Sequence, residues 1–252
     1  MAENVPILLT ARMRSSRLPG KHLLPLWQDI PAISCLIRRL QQTDARIILC
    51  IPVGDDEAAL WKTAEEEGIE IFSGHQDNVL QRYHGCLSTF GFSSGVIVDA
   101  DDVLVSISAI NEIRKMPPTV DYVRAEGFPY GGAPSRLSLE LLERMLDDNT
   151  TPNGWSSHAL DFARSAARVD GEDLPAGSAT LRFSLDYQED LEFLRDLFER
   201  FDSPEKVTLR AAVDIVLQNK DDLAKRFPGV FDGTLAARAD AHLQGEIRKW
   251  KR

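Results

Sequence analysis

At 252 residues the chain can bury a full core, and 43% hydrophobic with 27% charged residues is an ordinary globular balance that excludes disorder. No apolar run approaches the roughly 20 residues needed to cross a bilayer, and no basic segment with an apolar signal core opens the chain, so it reads as a cytoplasmic protein with no membrane partner. A net charge of −10 argues against nucleic acid, whose binding draws on basic surface.

The first element is the apolar run Val5 to Thr10, a buried strand. Directly after it comes ARMRSSRLPGK, residues 11–21, with Arg12, Arg14, Arg17 and Lys21 on a short polar loop. Between Glu3 and Asp29 lie 25 residues without an acid, where the overall composition would put roughly four. The positive potential is therefore local and suits a small anion. Ala32 to Leu40 sets Ile33, Leu36, Ile37 and Leu40 on one helical face. Arg46 to Ile51 reads as a second buried strand, Asp55 to Glu67 as a helix, and Ile69 to Phe72 as a third strand. A helix from Asp77, taken as its N-cap, runs to Gly91. Gly95 to Asp99 is a fourth strand ending in acids.

This alternation predicts an α/β fold, a Rossmann-like, mostly parallel sheet with helices on both faces. Beyond residue 120 the pattern loosens into a strand near Tyr122, a Gly/Pro-rich segment from Gly127 to Pro134, a helix over about 138–146 and a polar turn over 147–154. Residues 120–180 are thus the expected acceptor or lid region. Ala179 to Leu185 alternates as a strand, followed by a helix over 187–201. Helix-like stretches over 208–218 and 235–250 close the chain, giving a main domain over 1–220 and a helical tail over 221–252. Cys35, Cys50 and Cys86 lack disulfide or metal spacing and read as buried small hydrophobes. The histidines lack the i, i+4 spacing of a helical zinc site.

Two constellations carry chemistry. In the loop, Ser15 and Ser16 offer hydroxyls, Gly20 allows close backbone approach, and Arg17 and Lys21 provide a forked and a point charge, which together make a phosphate cradle. Its spacing matches neither a Walker P-loop nor a dinucleotide loop. The second is Asp99, Asp101 and Asp102 at the end of the fourth strand. Carboxylates facing a phosphate loop can hold Mg2+, which takes one or two carboxylates plus phosphate oxygens and waters. Asp186 ends another apolar stretch; taken alone it is more often a helix cap.

ARMRSSRLPGKHLLPL resembles the opening signature of the cytidylyltransferases that make CMP-activated acidic sugars, such as 3-deoxy-manno-octulosonate cytidylyltransferase. GHQDNVLQRY, residues 74–83, and LRFSLDYQEDL, residues 181–191, are similar to segments of the branch named after spore-coat polysaccharide biosynthesis protein F. The resemblance implies a nucleotidyltransferase that joins CTP to a sugar-like acceptor, releasing pyrophosphate, with Mg2+ as cofactor and a homodimer as one arrangement. It implies that Ala11, Arg12, Ser15, Ser16, Arg17, Lys21, Asp77 and Arg82 bind the nucleotide. Arg17, Lys21 and Asp101 would be catalytic, and Asp101 and Asp186 would hold the metal.

The chain departs from that branch at several places. Its Gly before the paired hydroxyl residues is Arg14 here. Its Gly-Leu-Asp-x-Glu segment stands as Gly132 to Arg136, and its Arg-Glu-His segment as Ser156 to His158. Arg136 and His158 are therefore the expected acceptor contacts, with Arg136 meeting a carboxylate or phosphate. Ile51 and Pro52 stand where a Thr or Ser is usual, so the preference for cytosine comes from the resemblance alone. Two readings compete. Asp99 and Asp101 form a DxD that would suit a glycosyltransferase using a nucleotide-sugar donor, and the lost acids would suit a catalytically inert nucleotide binder.

Overall fold

The continuous apolar runs become the middle of a sheet, because central parallel strands are covered on both faces and tolerate no polar alternation. The computed structural model describes residues 5–148, 154–170 and 174–250, so most of the expected polar turn over 147–154 lies outside the described residues. Its strands are β1 (Ile7–Thr10), β2 (Pro25–Trp27), β3 (Ile30–Pro31), β4 (Ile47–Pro52), β5 (Glu70–Gly74), β6 (Ser94–Asp99), β7 (Tyr122–Ala125), β8 (Ser135–Ser138) and β9 (Ala166–Val169). Seven of them form one sheet in the order β5-β4-β1-β6-β8-β7-β9. Only β8 runs against the others, and β2 pairs with β3 in a separate hairpin.

The helices are α1 (Ala32–Leu40), α2 (Ala58–Glu66), α3 (Val79–Phe90), α4 (Ile107–Lys115), α5 (Leu139–Asp147) and α6 (Ala159–Phe162). They continue with α7 (Gln188–Phe198), α8 (Leu209–Gln218), α9 (Lys220–Arg226), α10 (Pro228–Phe231) and α11 (Thr234–Trp250). Helices α3 and α5 cover one face of the sheet around Leu8, Ile48 and Ile97. Helices α1, α4, α7 and α8 cover the other, around Ile7, Leu9, Leu49 and Val98. The expected fold class holds, and the three cysteines are free and buried. Phe227, between α9 and α10, and Phe231, at the end of α10, pack edge-on against Phe193 of α7, so these helices adhere to the sheet domain. Among the described residues no helix is long and apolar enough to cross a membrane.

In the central register Thr10 lies between Cys50 of β4 and Asp99 of β6. The loop after β1 and the acids after β6 thus leave the sheet side by side at its carboxyl edge, where open α/β folds take ligands.

Three local expectations are corrected. Asn78, not Asp77, caps α3, its side chain accepting from the Gln81 N–H at 3.1 Å. The segment 179–185 is not a strand: a 3-10 turn over Ser178–Thr180 leads into extended chain whose one ladder contact is Tyr130 with Arg182. It crosses the strand ends rather than joining the sheet, with the Leu185 N–H donating to the Asp101 carbonyl at 2.8 Å. Its alternation is real, since Leu181, Phe183 and Leu185 enter the core, but the opposite side, Arg182, Ser184 and Asp186, is buried as well.

Arg136 is the third correction. It is fully buried, and its guanidinium donates to the carbonyls of Met116 (2.7 Å), Pro117 (2.7 Å) and Val120 (3.1 Å) just past α4. Successive residues of a strand face opposite ways, so Ser135 meets the cleft in its stead. Arg136→Met should lower stability by about 3 kcal/mol in urea unfolding, since it removes the hydrogen bonds of a buried guanidinium to the carbonyls of Met116, Pro117 and Val120. The folded variant should keep its acceptor KM.

Candidate active site

The site begins with a backbone turn. Gly20 has φ 65°, a left-handed conformation that costs glycine least, and it starts the 3-10 turn Lys21–Leu23. The turn drives Lys21 inward until it is 5% exposed. Its ammonium donates to Asp101 Oδ2 at 2.5 Å and to Asp186 Oδ1 at 2.9 Å, while Arg17 pairs with the same Asp186 oxygen at 2.6 Å. Three stretches far apart in sequence meet on one lysine.

Asp186 is free for this role because another residue caps the following helix. Asp190 Oδ2 accepts from the backbone N–H groups of Asp186 and Tyr187, each at 2.9 Å. Arg182 ties the two acids together, donating from Nε to Asp190 Oδ1 at 2.9 Å and from Nη2 to Asp186 Oδ2 at 2.7 Å.

The electrostatics separate a charged acid from acids that hold their protons. Burial opposes the ionised Asp101 carboxyl, but the Lys21 ammonium and the neighbouring His22 hold it well below the usual carboxylate range. Burial likewise opposes the charge on Lys21, and the two carboxylates more than offset this, leaving its pKa raised. Asp99 lines both clefts and is open to them; partial desolvation by the surrounding protein and then the charge of Asp101 push it up to about 7. Asp102 is pushed far up by burial and by the charges of Asp101 and Asp99. His22, buried beside Lys21, falls to about 4 and stays neutral at pH 7.

This donor set suits a hard divalent cation. Among the described residues no three His, Cys, Asp or Glu side chains form a closed metal cage. Mg2+ needs none, since it takes one or two carboxylates and completes its shell with phosphate oxygens and water. Asp101 and Asp186 already share a cationic partner, which marks a position that holds positive charge.

Two clefts meet at this point. One, of about 250 Å³, is lined by Ala11, Ser15, Ser16, Asp77, Arg82 and Trp155 among others. The second, of about 530 Å³, opens between Tyr130, Ser156, Ser184 and α11. Arg12, Arg17, Asp99 and Asp101 line both. The expected nucleotide-binding and metal residues are thus gathered at one place. Arg12 has no ion-pair partner among the described residues, and Arg82, 4% exposed, has a buried Nε without a hydrogen-bond partner. Buried guanidinium without a partner is costly, and an anion in the first cleft would relieve it.

Other loop residues serve the loop. Arg14 turns outward to Asp56 at 2.6 Å, and the Met13 N–H donates to Glu57 at 3.0 Å. Ser15 Oγ accepts from the Leu18 N–H at 3.3 Å, and Ser16 Oγ lies 3.5 Å from His242 Nε2. His158 lines neither cleft; its Nδ1 sits 3.8 Å from Asp161.

No family model matches the chain. It is 22% identical over 236 residues to spore coat polysaccharide biosynthesis protein SpsF of Bacillus subtilis, spanning 88% of this chain and 98% of that one. A cytidylyltransferase of Leptospira borgpetersenii superposes with a TM-score of 0.75 at 20% identity, covering 87% of this chain and 96% of the other. The chain has the cytidylyltransferase fold. A CMP:2-keto-3-deoxy-manno-octonic acid synthetase complexed with CTP superposes at 0.54, with 13% identity over 78% of this chain and 99% of that one. Rv0371c of Mycobacterium tuberculosis in complex with manganese superposes at 0.56, with 14% identity over 77% and 98%. The resemblance read from the three motifs therefore holds at the level of whole chain and fold.

Several residues of this site carry no local sequence signal. Trp155 lies next to a polar turn and packs edge-on against Tyr83, whose hydroxyl accepts from Thr10 Oγ1 at 2.9 Å. Tyr130 is a lone aromatic in a Gly/Pro segment. Asp240 and His242 belong to a helix more than 200 residues from the loop they face. Nucleotide titration should separate the loop arginines: Arg12→Ala should weaken binding about tenfold or more, the scale of a lost charged hydrogen bond. Arg14→Ala should leave affinity unchanged, because an exposed ion pair contributes little.

Proposed function

We propose that the chain is a divalent-metal-dependent nucleotidyltransferase that joins CTP, with Mg2+, to a hydroxyl of a sugar-like acceptor and releases pyrophosphate. The observation that carries this reading is the meeting of two clefts on Lys21, Asp101 and Asp186, with unpaired guanidinium in the first. In this reading the first cleft takes the nucleotide, with Arg82 and Asp77 beside it and Arg12 at the phosphates. Ser15 and Ser16 shape the turn over which the phosphates lie, and Ala11 starts it.

Arg17 and Lys21 stand on the boundary between the clefts. Donors fixed there in advance stabilise charge that grows on the transferring phosphate and the leaving pyrophosphate without reorganising. The acceptor hydroxyl, held in the second cleft, attacks the α-phosphorus; its proton is released as the new P–O bond forms and the bond to pyrophosphate breaks. A metal held by Asp101 and Asp186 would neutralise phosphate charge and orient the leaving group. The manganese complex of Rv0371c and the CTP complex of the synthetase support a metal and a nucleotide by analogy of fold.

An inert nucleotide binder is the second reading, favoured by one observation: Asp186 is already compensated by Lys21, Arg17 and Arg182. Pyrophosphate release from each of the four nucleoside triphosphates, with Mg2+ and a panel of sugars, separates the two. The proposed enzyme prefers CTP, and Asp101→Asn lowers kcat by about 10²–10³, the usual loss for one preorganised electrostatic group. Equal release from all four triphosphates would falsify the cytidylyl assignment. Tight nucleotide binding without turnover would favour the inert reading.

A further inference from the structure

Helix α11 brings a side chain to the first cleft from the far end of the chain. Its start is fixed by Asp232, whose carboxylate accepts from the Thr234 N–H at 2.8 Å. Leu235 and Ala239 are buried, and Arg238 lies 4.5 Å from the centre of the Tyr187 ring, which also carries Arg17 at 5.7 Å. Positions 235, 239, 242, 243 and 246 recur at helical spacing, so one face of α11 looks inward along its length. A Cβ on Gly154 would come within 3.1 Å of Ile247, so the far end of that face rests on the turn before Trp155.

At residue 242 the inward face passes from core to cleft. His242 lines both clefts and also the outer side of the phosphate loop, beside Ser15 and Ser16. Its imidazole has no committed partner. The Nε2 atom is 3.5 Å from Ser16 Oγ, at the outer limit of a hydrogen bond, so both groups keep capacity for a third atom.

The same cleft holds other donors in need of an acceptor. Arg12 has no ion-pair partner among the described residues, and the Arg82 guanidinium, 4% exposed, keeps a buried Nε without a hydrogen bond. An imidazole that carries its proton on Nε2 adds one more donor to this set, from a different element and a different side. Polyphosphate oxygens are acceptors that several such donors can share, and hydrogen bonds to them are of the stronger, charge-assisted kind.

Resting on the transferase reading, in which the first cleft takes the nucleotide, we propose that His242 binds the triphosphate, so that α11 supplies part of the nucleotide site and is not merely a brace beside it. In this arrangement a phosphate oxygen accepts from both Nε2 and Ser16 Oγ, replacing their long contact with two ordinary hydrogen bonds. The bound nucleotide thereby ties the C-terminal helix to the loop after β1.

Calorimetric titration of CTP with Mg2+ into the full chain tests this through two variants of similar size. His242→Gln keeps an N–H near the Nε2 position, and His242→Leu fills the space with none. Both should fold, as judged by circular dichroism, because residue 242 is half-buried on a terminal helix. The Gln variant should bind CTP within about threefold of the unaltered chain and the Leu variant about tenfold more weakly, the scale of a lost hydrogen bond to a charged group. Equal affinity of the two variants would overturn the inference and leave the transferase reading intact, whether both match the unaltered chain or both are weakened, since packing alone does not distinguish a donor from a methyl. Failure of the unaltered chain to bind CTP would overturn the transferase reading and this inference with it.

Discussion

One buried ammonium organises this molecule. Lys21 bonds to Asp101 after β6 and to Asp186 at the end of the crossing segment, so the β1 loop, the central strand end and the start of α7 are pinned to a single point. Two charges taken from water cost much desolvation, and a buried pair repays it only when the remaining hydrogen bonds are met. Here they are met by Arg17 and Arg182 on Asp186, with Asp190 holding both Arg182 and the backbone of residues 186 and 187. The arrangement fixes the direction of each carboxylate before any ligand arrives.

That constraint explains which parts were legible in the sequence. Parallel central strands are continuous apolar runs, and β1, β4 and β6 appear within a residue or two of their expected places. The helix over Ala32–Leu40 follows its apolar spacing to the residue. The short strands β8 and β9 were not legible, because Ser135–Ser138 and Ala166–Val169 are brief and mixed in polarity, and only pairing with β6 and β7 makes them strands. The segment 181–185 alternates as a strand does, but its pairing is replaced by burial on both sides.

Within the site, clustered charge in an acid-free stretch made the loop readable, and the acids at a strand end made their own partner readable. Whether a given arginine faced solvent, cleft or core was not. Arg14, Arg82 and Arg136 have the same chemistry and three different fates, set by Asp56, by an enclosed cleft wall and by the carbonyls past α4. The tail was the least legible part. Its helix has alanines and scattered charges, and only contact with Ser16, Tyr187 and Gly154 makes it a wall of the site.

The central claim is that converging carboxylates and a cationic loop form one metal–triphosphate site rather than a self-satisfied ion-pair network. Calorimetric titration of CTP into the full chain with and without Mg2+ tests it most directly. Affinity at least about tenfold higher with the cation is expected, since a metal held by Asp101 and Asp186 would offset their charge beside the phosphates. Equal affinity in chelator and in Mg2+ would contradict it, leaving Lys21, Asp101 and Asp186 as a structural clamp.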